Sequence, residues 1–125
     1  MDFKLSTELQ MLQKEVRKFA KKQIEPYADE WDEKHYLPID EVMRPLGELG
    51  YFGTVIPEEY GGEDMGFLAA MIVTEELAKV SSSLRVQVNM QVLGCAYTIF
   101  KYGNEAVRKK YVEKLCTAEY IGGFG

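Results

Sequence analysis

Histidine occurs once in these 125 residues, as His35, and cysteine twice, as Cys95 and Cys116. His35 stands in a polar turn before Pro38, and no cysteine, aspartate or second histidine is spaced to join it as a metal ligand. A lone turn histidine also leaves no nucleophile–His–acid set to assemble. The two cysteines sit inside apolar helical patterns. They read as small core residues rather than a disulfide framework or a metal site. No charge-free run reaches the roughly 18 apolar residues that a membrane span needs. The start, Met1-Asp2-Phe3-Lys4, has neither an apolar signal core nor an Arg-rich transit pattern, so a cytoplasmic chain is expected. Positive charge is the scarcer sign: 15 Lys and Arg against 20 Asp and Glu give a formal net charge of −5. That balance speaks against nucleic acid and acidic membrane surfaces as partners, without excluding a local basic patch. Phosphate cradles are missing too. Gly61-Gly62 lies among Glu58, Glu59, Glu63 and Asp64, which repel anions, and no GK[ST] follows. Gly122-Gly123-Phe124-Gly125 lacks the strand–GxGxxG–helix setting of a dinucleotide site.

What is present is helical periodicity. A chain of this length forms one domain and can hide roughly two-thirds of its unfolded surface. Leu9, Leu12, Val16, Phe19, Ala20 and Ile24 recur at helical spacing, with Thr7 and Gln10 as an expected capping box. Pro26 kinks or restarts that helix. Tyr27, Ala28 and Trp31 continue an apolar face. Asp40 is the expected N-cap of a short helix that turns Val42, Met43, Leu46 and Leu49 inward, bent by Pro45 and stopped at Gly50. Residues 51–66 read as an ordered loop, because Gly53 and Pro57 bracket too few residues for a strand. Phe67 to Val80 forms the next helix, with Leu68, Met71, Ile72, Leu77 and Val80 as its stripe. Glu75 and Glu76 point about 100° apart, so one is expected in solvent and one turned inward. Asn104 caps a last helix bearing Val107, Tyr111, Val112, Leu115 and Cys116. The sum is an all-α, up-and-down bundle of five to six helices.

The segment from Ser81 to Gly103 organises the rest. Three serines open it as N-cap candidates, and Gly103 is the expected left-handed stop. Between Arg85 and Lys101 it carries no charge. Leu84, Val88, Val92, Cys95 and Ile99 form one apolar stripe; Val86, Met90, Leu93, Tyr97 and Phe100 form another. A helix apolar all round is a buried helix. Its polar residues, Arg85, Gln87, Asn89 and Gln91, gather in the first half. Arg85 either pairs with Glu75, Glu76 or another carboxylate of the chain, or recognises an anionic ligand bidentately. The three amides are either satisfied core groups or donors and acceptors lining a pocket. The ending at Ile121 to Gly125 reads as the beginning of a strand or close-approach loop.

Several segments together resemble a family. Tyr51-Phe52-Gly53-Thr54-Val55-Ile56-Pro57-Glu58-Glu59-Tyr60-Gly61-Gly62 resembles the GxxGxxxPxEYGG loop of acyl-CoA dehydrogenases. Thr74-Glu75-Glu76-Leu77-Ala78-Lys79 is similar to that family's next helix. Tyr102-Gly103-Asn104-Glu105 with Lys110-Tyr111-Val112 and Leu115 is similar to its YGxxxxKxxYLPxL segment. The resemblance covers nearly the whole chain, in order. It implies the N-terminal all-helical domain, residues 1–121, of an FAD enzyme that oxidises the Cα–Cβ bond of an acyl-CoA. Residues 122–125 would begin the flavin-binding β-domain, just before the TEPxxGSD motif, with Phe124 and Gly125 touching the cofactor. The catalytic glutamate would lie in the C-terminal domain, so no catalytic residue is expected here and the fragment alone should be inactive. An electron-transfer flavoprotein or similar acceptor, and a homotetramer, are implied with it.

Ser83-Leu84-Arg85-Val86-Gln87-Val88-Asn89-Met90-Gln91 is similar to the glutaryl-CoA dehydrogenases, in which such an arginine faces the substrate's far carboxylate. Arg85, Val86, Asn89 and Gln91 are therefore the implied substrate-binding residues. Decarboxylating members tend to carry a glutamate seven residues before this arginine, where this chain has Ala78. A non-decarboxylating enzyme, or one acting on cyclic or short-chain acyl-CoA thioesters, is the alternative within the family. A non-catalytic helical interaction module, with Arg85 in a structural ion pair, is the alternative outside it.

Overall fold

The computed structural model describes residues 1–125, folded into six helical stretches and one short 3₁₀ turn, Glu58–Tyr60, with no strand. Helix α1 (Thr7–Phe19) runs on into a wider π turn, Ala20–Ile24. Its buried residues Leu12, Val16, Ala20 and Ile24 repeat every four positions. A four-residue repeat drifts off one face of a 3.6-residue helix, and the wider turn returns Ile24 to the core side. Ser6, not Thr7, caps this helix: its Oγ accepts from the Leu9 N–H at 3.2 Å. Gln10 donates instead to the Leu5 carbonyl at 2.8 Å, so no reciprocal box forms.

Pro26 ends that stretch and the chain restarts as α2 (Ala28–Glu33), where Tyr27 and Trp31 stack with ring centroids 5.5 Å apart. A π turn, Ile39–Met43, leads into α3 (Arg44–Glu48). Asp40 is not the cap; it is exposed and pairs with Arg44 one turn on. The Pro38 carbonyl accepts from both Val42 and Met43, at 3.0 and 3.2 Å. Pro45 is the second residue of α3, where the stretch passes from the wider turn into α geometry. Val42, Met43 and Leu46 are buried as expected, but Leu49 is exposed.

Residues 51–66 form an ordered loop, as their spacing predicts. Phe52, Thr54 and Ile56 are enclosed. The returning chain donates from Glu63 to Gly53, from Asp64 to Ile56, and from Met65 and Gly66 to Thr54, at 2.7–3.0 Å. Helix α4 (Phe67–Ala78) then buries Ala69, Ala70, Ile72, Val73, Glu76 and Leu77. The expected inward positions Leu68 and Met71 are exposed instead.

The long helix begins as α5 (Ser82–Asn89), widens through a π segment Met90–Tyr97, and ends as α6 (Thr98–Tyr102). Gly103 closes it in an extended conformation, φ −74° and ψ 154°, rather than the left-handed one. A Cβ there would stand 2.6 Å from the Ile99 carbonyl oxygen, so close approach, not positive φ, accounts for the glycine. Asn104 caps α7 (Glu105–Cys116), accepting from the Val107 N–H at 3.0 Å.

The main core gathers α1, α3, α4 and the first half of the long helix around Phe52. A smaller core joins Ile56, Cys95 and Ala96 to Val112, Leu115 and Cys116 of α7. Both cysteines are buried and free, as core residues. The long helix is not buried all round: Leu84, Val88, Val92 and Cys95 are, while Val86, Met90, Leu93, Tyr97 and Phe100 stay partly open. The second stripe is only partly covered from within the chain: Phe67 meets Tyr97, Tyr60 meets Phe100, and Val86 is left exposed.

Candidate functional site

Ser81 starts the long helix by accepting from the Leu84 N–H at 3.2 Å. That cap sets Arg85 in the first turns, half-buried. No ion pair within 4.0 Å involves Arg85. Its expected structural partner is taken. Glu76, 1% exposed, receives Arg17 Nε and Nη2 at 3.0 Å each and Lys79 Nζ at 2.8 Å. The Arg17 hydrogen bonds, aided by Lys79 and opposed by burial, hold the Glu76 carboxyl down to about 2. Glu75 is exposed. Of the two readings open for Arg85, the pairing one has no partner inside this chain.

Successive residues of an α-helix turn by about 100°. Val86 therefore lies between Arg85 on one edge and Gln87 on the other. Asn89 sits one turn beyond Arg85 on the same side. It is half-buried, and its amide bonds to no group of the chain. Val86, 50% exposed, begins the open stripe that continues through Met90, Leu93 and Tyr97. Tyr97 meets Phe67 of α4 edge to face, with centroids 5.0 Å apart. Phe67, 51% exposed, carries the open apolar surface from the long helix to α4, where Leu68 and Met71 are exposed as well. Exposed apolar side chains grouped on neighbouring helices mark a surface that can receive a ligand or further protein. The sequence pattern missed the α4 contribution, because Leu68 and Met71 fit an inward stripe equally well by spacing.

Gln91 has a different place from Arg85 and Asn89. It is fully enclosed, and its Nε2 donates to the Leu115 and Tyr120 carbonyls at 2.8 Å each. Its Oε1 accepts from the Gly122 N–H at 2.8 Å. The expected pocket-lining amide is thus a satisfied core group, because the end of α7 needs a donor there. Gln87 Nε2 reaches the Gly122 carbonyl at 3.4 Å and also lines a hollow of about 290 Å³ shared with Trp31, His35 and Ser83. His35 stands there exposed, at φ 52°.

Beyond Gly122 the chain has no regular secondary structure. The N–H groups of Gly123, Phe124 and Gly125 have no acceptor in the chain. Phe124 is 73% exposed, and a Cβ at Gly123 or Gly125 would meet nothing within 4 Å.

Comparison with known proteins adds a frame to this geometry. The family model described as "Acyl-CoA dehydrogenase, N-terminal domain" matches residues 6–119. The chain is 68% identical to a glutaryl-CoA dehydrogenase of Desulfococcus multivorans across all of its own length and 33% of that protein. It is 34% identical to a short-chain-specific acyl-CoA dehydrogenase of Clostridium acetobutylicum, again over its full length and 33% of the relative. The solved structure of a glutaryl-coenzyme A dehydrogenase–glutaryl-CoA complex superposes with a TM-score of 0.96 at 68% identity, covering 100% of this chain and 32% of that one. The chain thus spans about a third of the length of the curated relatives that it matches.

Proposed function

Since the chain belongs to the acyl-CoA dehydrogenase family, as its N-terminal domain, we propose that it forms one wall of the acyl pocket in an FAD-dependent glutaryl-CoA dehydrogenase. The observation that carries this reading is Arg85: a half-buried guanidinium, free of any ion pair, at one end of an open apolar stripe. A chain of methylenes ending in a carboxylate matches that surface in order. The methylenes lie along Val86 and its neighbours, and the carboxylate meets Arg85. Asn89, unpartnered one turn on, adds a donor beside it. A fully apolar acyl chain would leave the cation facing hydrocarbon, which is costly. The similarity to a glutaryl-CoA dehydrogenase supports the same choice.

FAD, when bound, supplies the two-electron acceptor for the hydride that leaves Cβ. Phe124 and Gly125 fit the rim of such a site, through an exposed ring and free backbone amides. On this reading residues 122–125 open the flavin-binding domain, the group that takes the α-proton lies in the C-terminal part of the full-length protein, and the fragment alone is inactive. Gln91 does not touch substrate; it holds the backbone that leads to the flavin side. Ala78, the last residue of α4, offers a methyl where a carboxyl would be needed to shuttle a proton at the far end of the substrate. The unsaturated product therefore keeps its carboxylate. The electrons pass to an electron-transfer flavoprotein or a similar acceptor. On the same reading the enzyme works in the cytoplasm as a homotetramer.

The full-length protein should be purified and its spectrum and turnover recorded with glutaryl-CoA and butyryl-CoA. Bound flavin, faster oxidation of glutaryl-CoA and no release of carbon dioxide are expected. A protein without flavin, or one that prefers butyryl-CoA, contradicts the proposal.

A further inference from the structure

Resting on that reading, we propose that Gln91, seconded by Gln87, is a positioning residue: it sets the distance between the tail at Gly122–Gly125 and the Arg85 end of the groove, and so selects the length of acyl chain that is oxidised. The side chain of Gln91 spends every polar atom on backbone. It ties the Leu115 and Tyr120 carbonyls and the Gly122 N–H together, all at 2.8 Å. Gln87, one turn earlier, takes the Gly122 carbonyl at 3.4 Å. Both backbone polar groups of Gly122 are therefore held by side chains of one helix.

Cys95, one turn later, supplies a third point. A Cβ on Gly122 would stand 2.5 Å from Cys95 Sγ and 2.7 Å from its Cβ, so the tail backbone lies directly on the helix. Residues 87, 91 and 95 thus form a seat, one turn apart along a single face. Arg85 belongs to the same helix, about 9 Å along the axis from Gln91. The separation of the Arg85 backbone from the seated Gly122 backbone is set by helix geometry, not by the play of a loop.

A dicarboxylyl thioester has a fixed number of bonds between its far carboxylate and the carbons that lose hydrogen. If Arg85 anchors one end and the flavin side lies at the tail, one chain length brings Cβ into a reactive position. Longer and shorter homologues bind through the same carboxylate but misplace Cβ. Misplacement by about 1 Å costs up to roughly a hundredfold in rate. A purely structural Gln91 would satisfy the same carbonyls without influencing chain-length choice, so the two roles predict different data.

The test uses the flavin-loaded full-length protein and its Gln91→Met variant, which keeps side-chain length and removes the amide. Hydrogen exchange of the segment's bonded amides, Tyr120 and Gly122, is followed together with FAD affinity. Turnover is measured with the four-, five- and six-carbon dicarboxylyl-CoA thioesters. We expect exchange of this segment to rise about tenfold or more. The kcat for glutaryl-CoA should fall roughly tenfold to a hundredfold, with KM within about threefold. The preference for five carbons over six should shrink by about tenfold. Unchanged length preference, whether or not the variant melts earlier, overturns the proposal, and so does unchanged exchange of the tail. If Gln91→Met does not fold, Gln87→Met and Gly122→Ala are judged by the same readouts. A wild type that lacks flavin or does not oxidise acyl-CoA overturns the functional reading and this proposal together; an active wild type with length-selective variants unaltered overturns this proposal alone.

Discussion

Glu76 shows how one side chain joins stability to pH. It is the one charged residue that the fold encloses, and Arg17 and Lys79 bring it two cations from α1 and from its own helix. Its carboxyl titrates at about 2 in the folded chain against 4.5 for an ordinary glutamate. A depressed folded value means that the stabilisation is complete above pH 4.5 and is lost as pH falls toward 2. Urea unfolding across pH 2–7 should show this loss in the wild type. Glu76→Gln should unfold about 1–3 kcal/mol more easily at pH 7 and lack that part of the acid dependence; an unaltered acid limb contradicts the assignment. The cysteines make a second prediction at this scale. Burial pushes the Cys116 thiol up to about 12 and raises that of Cys95. Neither should react with iodoacetamide at pH 8 until the chain is unfolded, as mass spectrometry of alkylated protein can show.

Elements meet where backbones approach closely. Gly47 in α3 lies against the end of α7: a Cβ would stand 2.4 Å from the Thr117 carbonyl oxygen and 2.9 Å from the Ala118 Cβ. Gly47→Ala should therefore cost roughly 1–3 kcal/mol by overpacking. Gly123→Ala, with nothing within 4 Å of the new methyl, should change stability by less than about 0.5 kcal/mol. Urea midpoints of the two variants check the contrast. Helix positions were legible in the sequence, because apolar spacing and breakers such as Pro26 act locally. Cap identity was less so. Ser6 and Thr7 are adjacent hydroxyls, and the choice depends on where α1 starts, within one residue. Asp40 has the right chemistry for a cap, yet the π turn hands that role to the Pro38 carbonyl. Spacing likewise could not say which of two apolar stripes on α4 or on the long helix faces the core; that depends on partners distant in sequence.

At the scale of the whole chain, one helix, uncharged between Arg85 and Lys101, carries two different connections. Its Arg85 edge and open stripe face outward, and its Gln87 and Gln91 edge holds the tail. The candidate site was legible as far as residue type: a lone cation followed by amides in an apolar helix stands out. Which amide turns inward was not, since Asn89 and Gln91 differ only by their direction around the helix, and the demand for a donor comes from Leu115 and Tyr120. The central claim is that Arg85 reads the far carboxylate. It is tested most directly by a two-by-two comparison in the full-length enzyme: wild type and Arg85→Ala, each with glutaryl-CoA and with pentanoyl-CoA, which lacks that carboxylate. A partly desolvated pair predicts a loss in kcat/KM of about 2–5 kcal/mol for glutaryl-CoA, with little change for pentanoyl-CoA. An equal loss on both substrates, or a retained preference for glutaryl-CoA, contradicts it.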